Sequence, residues 1–500
     1  MSCDYSPIGV LDSNKNIAGT LEKMELIQKI IAFFFKRKWL GILLVLGLAW
    51  GVGISTFYRG AVSPKQRTDL TVFLKAGEMV HEGRANHIYG IENARHWHYV
   101  YPPILAILLA PVSKWPLGAT VGLAYLLSIA CLVGTILLSR RLPEKARSGF
   151  ISSHNLNNDR SLRGARQGDA AISLYESKIA SPSARNDITA KAVRETYETT
   201  SKPAPWQITL AMIFCLPMFL NTLTRGQFGI ITLFFMAAVF YNYLKQRKIL
   251  TGLLLAFAIA LKISPLAFLV FFFLLKREWK TLLGTLVGLG LFFFLLPSLA
   301  IGFQQNWELL KIWQHLMSIS QSDTAYQNYL WGELFTPFAE DNQSLYSVVT
   351  RFSWPSEAVF IGHSNALVRF VTSGVGILFL VLPFMKAQKA SKVPAQDPLR
   401  SFAEFSLFPM IMLFTSPVTQ IHHYTVVYFL YLAALMIMDR TPRGSRAHKY
   451  LGFSLWACAL SLMLGMIFPL LGYWGIPLWG SIFLWGVVLC YMNKEPVHGT

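Results

Sequence analysis

The sequence predicts an all-α polytopic membrane protein, and three observations lead to that fold class. Of its 500 residues, 53% are apolar and only 14% are charged, which leaves too little polar surface to solvate a soluble protein of this size. The apolar residues form blocks of about 16 to 22 bounded by Lys, Arg, Pro and Gly, the length that a helix needs to cross a bilayer. These blocks lack the alternating polarity of a transmembrane β-barrel.

About twelve blocks, with an expected range of roughly 10 to 13, are candidate transmembrane helices. In chain order they are 40–58, 117–139, 206–222, 228–244, 249–262, 265–275, 281–301, 363–385, 401–416, 422–438, 450–470 and 474–492. The block 103–113 is too short to cross. Its start at Tyr101-Pro102-Pro103 and its internal Pro111 favour an extracytoplasmic juxtamembrane helix instead.

The distribution of Lys and Arg predicts the orientation. Of the 45 basic residues, 33 lie in the segments assigned to the cytoplasm, which are 1–39, 140–205, 245–248, 276–280, 386–400, 439–449 and 493–500. The short loops KQRK, KREWK and DRTPRGSRAHK agree with this orientation, because the positive-inside bias is strongest in short loops. Both termini are therefore expected in the cytoplasm. The membrane is expected to be a bacterial inner (plasma) membrane.

This orientation divides the chain into seven regions. They are the cytoplasmic N-terminal segment 1–39, the unit 40–139 with a large outer loop, the cytoplasmic insertion 140–205, the bundle 206–302, the outer loop 303–362, the bundle 363–492 and the tail 493–500. The insertion is rich in Ser, Asn, Ala, Arg and Asp, and is expected to be largely disordered. The net charge of +19 is spread between apolar blocks, which argues against a nucleic-acid partner.

Polar and ionisable residues collect at the ends of apolar blocks on the predicted outer side. They are Asp69, Tyr101, Arg225, Gln227, Lys262, Asn342, Gln343, Arg351, His422 and His423. An ionisable group at the bilayer centre costs on the order of 2.5–3.5 kcal/mol on insertion scales, so such residues usually mark a functional site.

Asp69 lies in a stretch, Ser63 to Ala76, that is predicted to be a short amphipathic helix. A carboxylate at the interface could act as a general base towards an incoming hydroxyl. The structural alternatives are a helix cap or a solvated partner of Arg67.

The cations have two interpretations each. Arg225 and Lys262 are suited to bind a phosphate group, because a guanidinium binds it in a bidentate manner and an ammonium binds it as a point charge. Alternatively, both side chains extend to lipid headgroups. His422 and His423 cannot share one helical face, so at most one is expected to face a given cavity. No array of further ligands accompanies them, and we predict no metal and no cofactor.

The ordered motifs resemble glycosyltransferase family 87, the polyprenol-phosphate-mannose-dependent mannosyltransferase-like members of the GT-C class. The matching pieces are TDLTVF, HIYG, YVYPPILAILLAP, RGQFGIITL, TGLLLAFAIALKISPLAFL, NQSLYSVVTRF and SPVTQIHHY. The sequence departs from the family pattern in the insertion 140–205 and at Gln420, where many relatives carry an aromatic residue.

The resemblance implies a GT-C fold and a hexosyltransferase that uses a polyprenyl-phosphate-linked sugar, mannose being the leading candidate. The acceptor would be a hydroxyl of a glycan or glycolipid on the extracytoplasmic face, and its attack on the anomeric carbon of the donor would invert that centre. Asp69 would be the general base. Arg225, Lys262 and one of the two histidines would hold the phosphate, and the remaining residues, Tyr101, Gln227, Asn342, Gln343 and Arg351, would bind sugar or acceptor.

Two other classes of membrane protein fit parts of the pattern. A transporter or lipid-linked-sugar flippase would be expected to carry paired halves and charges near the midplane, which the outer clustering does not favour. An O-antigen ligase or polymerase also handles lipid-linked sugars on this face.

Overall fold

The computed structural model describes residues 38–63, 68–92, 96–141, 203–319, 325–328, 330, 332, 336–361, 365–389 and 398–492. Within these ranges all regular structure is helical, apart from two isolated antiparallel bridges, Glu92 with His98 and Asn342 with Gln420. The prediction of an all-α fold is confirmed.

The helices are numbered in chain order. They are α1 (Lys38–Phe57), α2 (Leu70–His81), α3 (Pro103–Leu109), α4 (Leu117–Ser139), α5 (Pro205–Arg225), α6 (Gly229–Leu244), α7 (Lys248–Leu261), α8 (Ile263–Leu266), α9 (Leu269–Leu275), α10 (Trp279–Leu289), α11 (Leu296–Ile301), α12 (Phe303–Ile319), α13 (Leu345–Ser353), α14 (Glu357–Ile361), α15 (Ala366–Lys389), α16 (Pro398–Thr415), α17 (Val427–Asp439), α18 (Arg446–Ile467), α19 (Pro469–Tyr473) and α20 (Ile476–Tyr491). Short 3-10 segments lie at Ala85–Gly90, Ala110–Val112, Ala325–Gln327 and Ile421–Val426, and π-helical turns at Tyr58–Val62 and Gly290–Leu295.

Every predicted span overlaps a helical segment. In the described part of the chain, six segments are long and apolar enough to cross a membrane: Leu117–Ser139, Pro205–Arg225, Trp279–Ile301, Ala366–Ala387, Ile421–Asp439 and Arg446–Ile467. The chain is therefore an integral membrane protein. Twelve crossings remain a prediction, because several other helices are shorter than a bilayer requires.

Three predicted regions fall wholly or mostly outside the described residues. They are the N-terminal segment 1–39, the insertion 140–205 and the tail 493–500. The division of the chain into regions stays a prediction.

The centre of the bundle is formed by α16 and α17. All side chains from Val427 to Ile437 in α17 are buried, whereas α15 exposes Leu367 by 73% and Phe370 by 78%. Large exposed apolar side chains are stable only against lipid or another protein, so α15 presents a face suited to acyl chains.

Glycines set the closest helix packing. A Cβ added to Gly252 of α7 would lie 2.2 Å from the backbone oxygen of Thr281, and one added to Gly284 of α10 would lie 2.6 Å from the oxygen of Ile249. The two backbones are therefore in direct contact, a packing that only residues without a side chain allow.

The helix predicted from Ser63 to Ala76 has different bounds. It begins at Leu70 and continues to His81, because the Asp69 amide donates to the backbone oxygen of Arg225 at 2.8 Å instead of to a preceding turn. The block 103–113 forms α3 and a following 3-10 turn, as predicted; its position at the membrane interface stays a prediction.

Candidate active site

The side-chain amide of Gln227 joins three of the residues predicted to form the site. Its nitrogen donates to the Asp69 carboxylate at 2.6 Å, and its oxygen accepts from the Tyr101 hydroxyl at 3.2 Å and from the Lys262 ammonium at 3.3 Å. Gln227 is 8% exposed. The amide uses both its donor and its acceptor sides, so it fixes the positions of an anion and a cation at once.

Asp69 is half-buried at the start of α2. It occupies the N-cap position, but its side chain makes no cap hydrogen bond, so the carboxylate does not act as a helix cap. The proposed partner Arg67 lies outside the described residues. Burial raises the pKa of Asp69, against the opposing influence of Arg225 and of the Gln227 hydrogen bond. A carboxylate with a raised pKa is a stronger base than a free one.

Arg225 lies at the last residue of α5, and its guanidinium is surrounded by polar groups. Its Nη1 donates to Gln420 Oε1 at 3.1 Å and lies 3.4 Å from His422 Nδ1. Its Nη2 is 3.9 Å from Asp341. Its side chain is 27% exposed, so part of its charge remains available to a ligand.

Gly226 terminates α5 in the left-handed conformation, with φ of +65°. An added Cβ would lie 2.9 Å from Leu70 Cβ. Glycine is therefore required between Arg225 and Gln227 on both conformational and steric grounds. This turn brings the backbone oxygen of Arg225 and the side chain of Gln227 to Asp69 at the start of α2.

Lys262 follows the end of α7, where the backbone becomes extended. It is 5% exposed and bonded to Gln227, so it is a buried cation rather than one extended to a headgroup layer. Tyr101 precedes α3, and burial and the charge of Asp69 raise the pKa of its hydroxyl, which keeps it a neutral donor.

The two histidines occupy the 3-10 segment Ile421–Val426 and are in ring contact, with centroids 4.3 Å apart. His422 is buried beside Arg225. His423 is half-buried, and its Nδ1 accepts from the Gln420 amide at 3.3 Å.

The predicted site residues of the second outer loop do not share the side-chain hydrogen bonds that join Asp69, Gln227 and Lys262. Asn342, Gln343 and Arg351 are buried, and their side chains bond the backbone. Arg351 donates to the backbone oxygens of Pro337, Ala339 and Asn342 at 2.9, 2.7 and 3.0 Å.

The side-chain amides of the same loop also form hydrogen bonds with backbone groups. Gln343 donates to the backbone oxygens of Glu340 and Gly472 at 2.7 and 2.8 Å, and Asn342 accepts from the Thr419 amide at 3.0 Å. Asn342 also forms a backbone bridge with Gln420. These contacts attach the loop to the segment that carries the histidines.

Four residues near the site were not assigned to it from the sequence. They are Arg59, which acts electrostatically on Asp69, Trp97, whose ring centroid lies 5.9 Å from the Arg225 guanidinium, and Asp341 and Gln420. Gln420 stood out only as a departure from the family pattern. Asp341 directly precedes the NQS motif, which is the one sequence signal that could have identified it.

Comparison with protein families gives one match. The sequence model of glycosyltransferase family 87 matches residues 99–417, which is more than half of the chain. Asp69 and the histidines lie outside that stretch, but their contacts with Gln227 and Arg225 join them to it. Comparison with curated proteins and with solved structures yields no match.

Proposed function

We propose a reaction for this chain from an established premise: the chain belongs to glycosyltransferase family 87 and is a membrane glycosyltransferase. The proposed donor is a polyprenyl-phosphate-linked hexose, with mannose as the first candidate. The proposed acceptor is a hydroxyl of a glycan or glycolipid on the extracytoplasmic face of the membrane.

The observation that carries this proposal is the pairing of a half-buried carboxylate, Asp69, with one buried and one partly buried basic side chain, Lys262 and Arg225. Asp69 lies 2.6 Å from Gln227, which also binds Lys262, and the charge of Arg225 acts on the same carboxylate. In the proposed step Asp69 removes the acceptor proton as the oxygen attacks the anomeric carbon. The bond between that carbon and the phosphate oxygen breaks, and polyprenyl phosphate leaves with the electron pair.

The leaving group carries the negative charge that develops in this step, so it requires donors that are already in position. Arg225 and Lys262 are the proposed donors, because both are basic side chains that act electrostatically on Asp69. One histidine of the pair is proposed to assist them. No nucleotide or metal is needed for this chemistry.

An apolar cavity next to Gln227 supports a lipid-linked donor. It measures about 90 Å³ and is lined largely by apolar side chains from α4 and the helices around it, and also by Gly226 and Gln227. On its α4 side, Leu123 and Leu127 are 46% and 50% exposed. A prenyl chain entering between these helices from the bilayer would bring its phosphate towards the cations.

The test is sugar transfer from a polyprenyl-phosphate-linked sugar by Asp69→Asn, which keeps the size of the side chain but removes the base. The transfer rate should fall by a factor on the order of 10²–10⁴. The matched control is Asp439→Asn, at the exposed far end of α17, which should transfer at the wild-type rate. A folded Asp69→Asn protein with near wild-type transfer would exclude Asp69 as the base.

The side of the membrane is tested separately. A reporter inserted within 140–205 should report the cytoplasm, because the proposed site lies at the opposite ends of α5 and α7. A non-cytoplasmic signal would place the site on the wrong face for an extracytoplasmic acceptor.

A further inference from the structure

We infer that a groove along the lipid-exposed helix α15 binds one anionic phospholipid of the phosphatidylglycerol type, as a ligand that is not consumed. The groove measures about 250 Å³ and is lined by residues of α13, α15 and the C-terminal end of α16. None of the described residues that line it belongs to the apolar cavity beside Gln227 or to the proposed active site. The inference is therefore separate from the proposed reaction.

One stripe of α15 forms a wall of the groove, and its polarity changes along its length. Residues spaced by three or four share one face of a helix. The α15 residues that line the groove follow this spacing, and they are Arg369, Thr372, Ser373, Gly376, Ile377 and Leu380. The first three have polar side chains and the last three do not. Such a stripe matches an amphiphile whose headgroup lies towards the start of α15.

The length of the stripe matches one leaflet of a bilayer. Arg369 and Leu380 are 11 residues apart in the same helix, a separation of roughly 16 Å at a rise of about 1.5 Å per residue. One leaflet supplies about half of a hydrocarbon core of ~30 Å. The segment Ala366–Ala387 is long and apolar enough to cross a membrane, and Ile377 is 63% exposed. The apolar end of the groove is therefore open to acyl chains, in the predicted outer leaflet.

Arg369 supplies the charge that selects the headgroup. It is half-buried, and it is the only charged side chain among the described residues that line the groove. A guanidinium can bind two phosphate oxygens at once, and the exposed hydroxyl of Ser373, one turn further along the stripe, can add a hydrogen bond. Because no carboxylate lines the described part of the groove, the ammonium of phosphatidylethanolamine would gain no partner there. The net negative charge of phosphatidylglycerol is the better match.

The groove also borders the segments that join the second outer loop to the histidines. Leu345 and Pro417 both line it. The backbone oxygen of Pro417 accepts hydrogen bonds from Asn342 Nδ2 at 3.2 Å and from Ser344 Oγ at 3.1 Å. A lipid in the groove would contact both segments while they are folded together. Since a ligand that binds only the folded state stabilises it, phosphatidylglycerol should raise the midpoint of thermal unfolding.

The first test measures binding by native mass spectrometry of the full-length protein in detergent micelles, titrated with dioleoyl phosphatidylglycerol. The Kd of the tightest site should rise on the order of tenfold in Arg369→Gln, because the charged donor to the phosphate is lost. Arg84→Gln, an exposed arginine outside the groove, is the control and should bind like the wild type. Dioleoyl phosphatidylethanolamine should bind the wild type more weakly than phosphatidylglycerol does.

The second test addresses the acyl-chain end and leaves the charge in place. Ile377 lines the groove, whereas its neighbour Leu378 does not, and the two side chains are 63% and 52% exposed. Ile377→Trp should fill the groove and raise the Kd for phosphatidylglycerol severalfold. Leu378→Trp makes the same kind of change beside the groove and should leave the Kd at the wild-type value. Because Ile377 is exposed, this pair also decides the inference if Arg369→Gln does not fold.

Three results would overturn the inference. The first is wild-type affinity for phosphatidylglycerol in folded Arg369→Gln or in Ile377→Trp, and the second is equal affinity of the wild type for the two phospholipids. The third comes from titration with a polyprenyl phosphate: if it occupies the groove in preference to phosphatidylglycerol, the groove holds a substrate lipid instead. None of these measurements depends on sugar transfer, so failure of the proposed function would leave the test of the groove intact.

Discussion

Two groups of buried or partly buried polar residues lie on the predicted outer side, and they differ in what their side chains bind. The proposed catalytic cluster consists of Asp69, Arg225, Gln227 and Lys262, and the loop clamp consists of Asn342, Gln343 and Arg351. In the catalytic cluster the main side-chain contacts are with other side chains, such as Gln227 with Asp69. In the loop clamp they are with backbone groups, such as Arg351 with three carbonyl oxygens.

This difference shows that burial of a polar residue does not by itself indicate function. Arg351 is 4% exposed and donates to backbone oxygens of its own loop, contacts that favour a folding role. Arg225 is partly exposed and shares its donors among Gln420, His422 and Asp341. A ligand can rearrange contacts of the second kind more cheaply than those of the first, because no backbone carbonyl is left unpaired.

Between the two arginines that represent these groups, the larger expected effect on catalysis is that of Arg225→Met. Loss of a positioned donor to the developing charge should lower transfer by a factor on the order of 10²–10³, while the unfolding transition stays close to that of the wild type. Initial rates with a polyprenyl-phosphate-linked sugar and thermal unfolding are the two measurements. Arg247→Met, an exposed arginine on the opposite side, is the control. A large loss of stability with normal transfer would show that Arg225 has a structural role, like the residues of the loop clamp.

The second expected effect is on stability instead of catalysis, in Arg351→Met. Three backbone oxygens lose a charged donor, so the free energy of unfolding should fall by about 3 kcal/mol, and the protein that remains folded should transfer sugar at close to the normal rate. Burial lowers the pKa of Arg351 to about 10, which leaves it protonated at neutral pH. Reversible denaturation in mixed micelles measures the change, with the exposed Arg84→Met as the control. A stable but inactive variant would place Arg351 in the site.

The smallest expected effect is on the pH dependence of transfer. A base must be deprotonated, so the rate should rise with pH through the pKa of Asp69, which burial places above its ordinary value. The Gln227 hydrogen bond lowers that pKa, so Gln227→Met should move the acidic limb of the profile to higher pH. Gln207→Met, at the other end of α5, removes a buried glutamine without this contact and should leave the limb in place. If the acidic limb does not move in Gln227→Met, the limb does not report the pKa of Asp69.

Much of the fold follows from the positions of the apolar blocks. The observed helices differ from the predicted ones where a contact distant in sequence decides a helix end. The spans 117–139 and 206–222 correspond to α4 and α5 within a few residues, because a run of apolar residues must form a helix in lipid to pair its backbone. The helix around Asp69 begins later than predicted. Its start depends on a hydrogen bond to Arg225, which is distant in sequence and therefore absent from any local pattern.

The candidate site was only partly predictable for the same reason. Residue type and position at block ends singled out Asp69, Arg225 and Lys262, since charged groups near hydrocarbon are costly. Those properties are shared by Arg351, whose partners are backbone oxygens that a sequence does not display. The contribution of Asp341 and Gln420 likewise depends on the packing of the outer loop against the histidine segment.

The sequence by itself determined a helical membrane protein of glycosyltransferase family 87, because hydropathy and ordered motifs are properties of the chain read in one direction. The tertiary structure alone decided that Gln227 holds Asp69 and Lys262 together, and that His422 is aligned with Arg225. The physical reason is that hydrogen bonds act over about 3 Å. Which side chains come that close depends on how the helix ends meet in space.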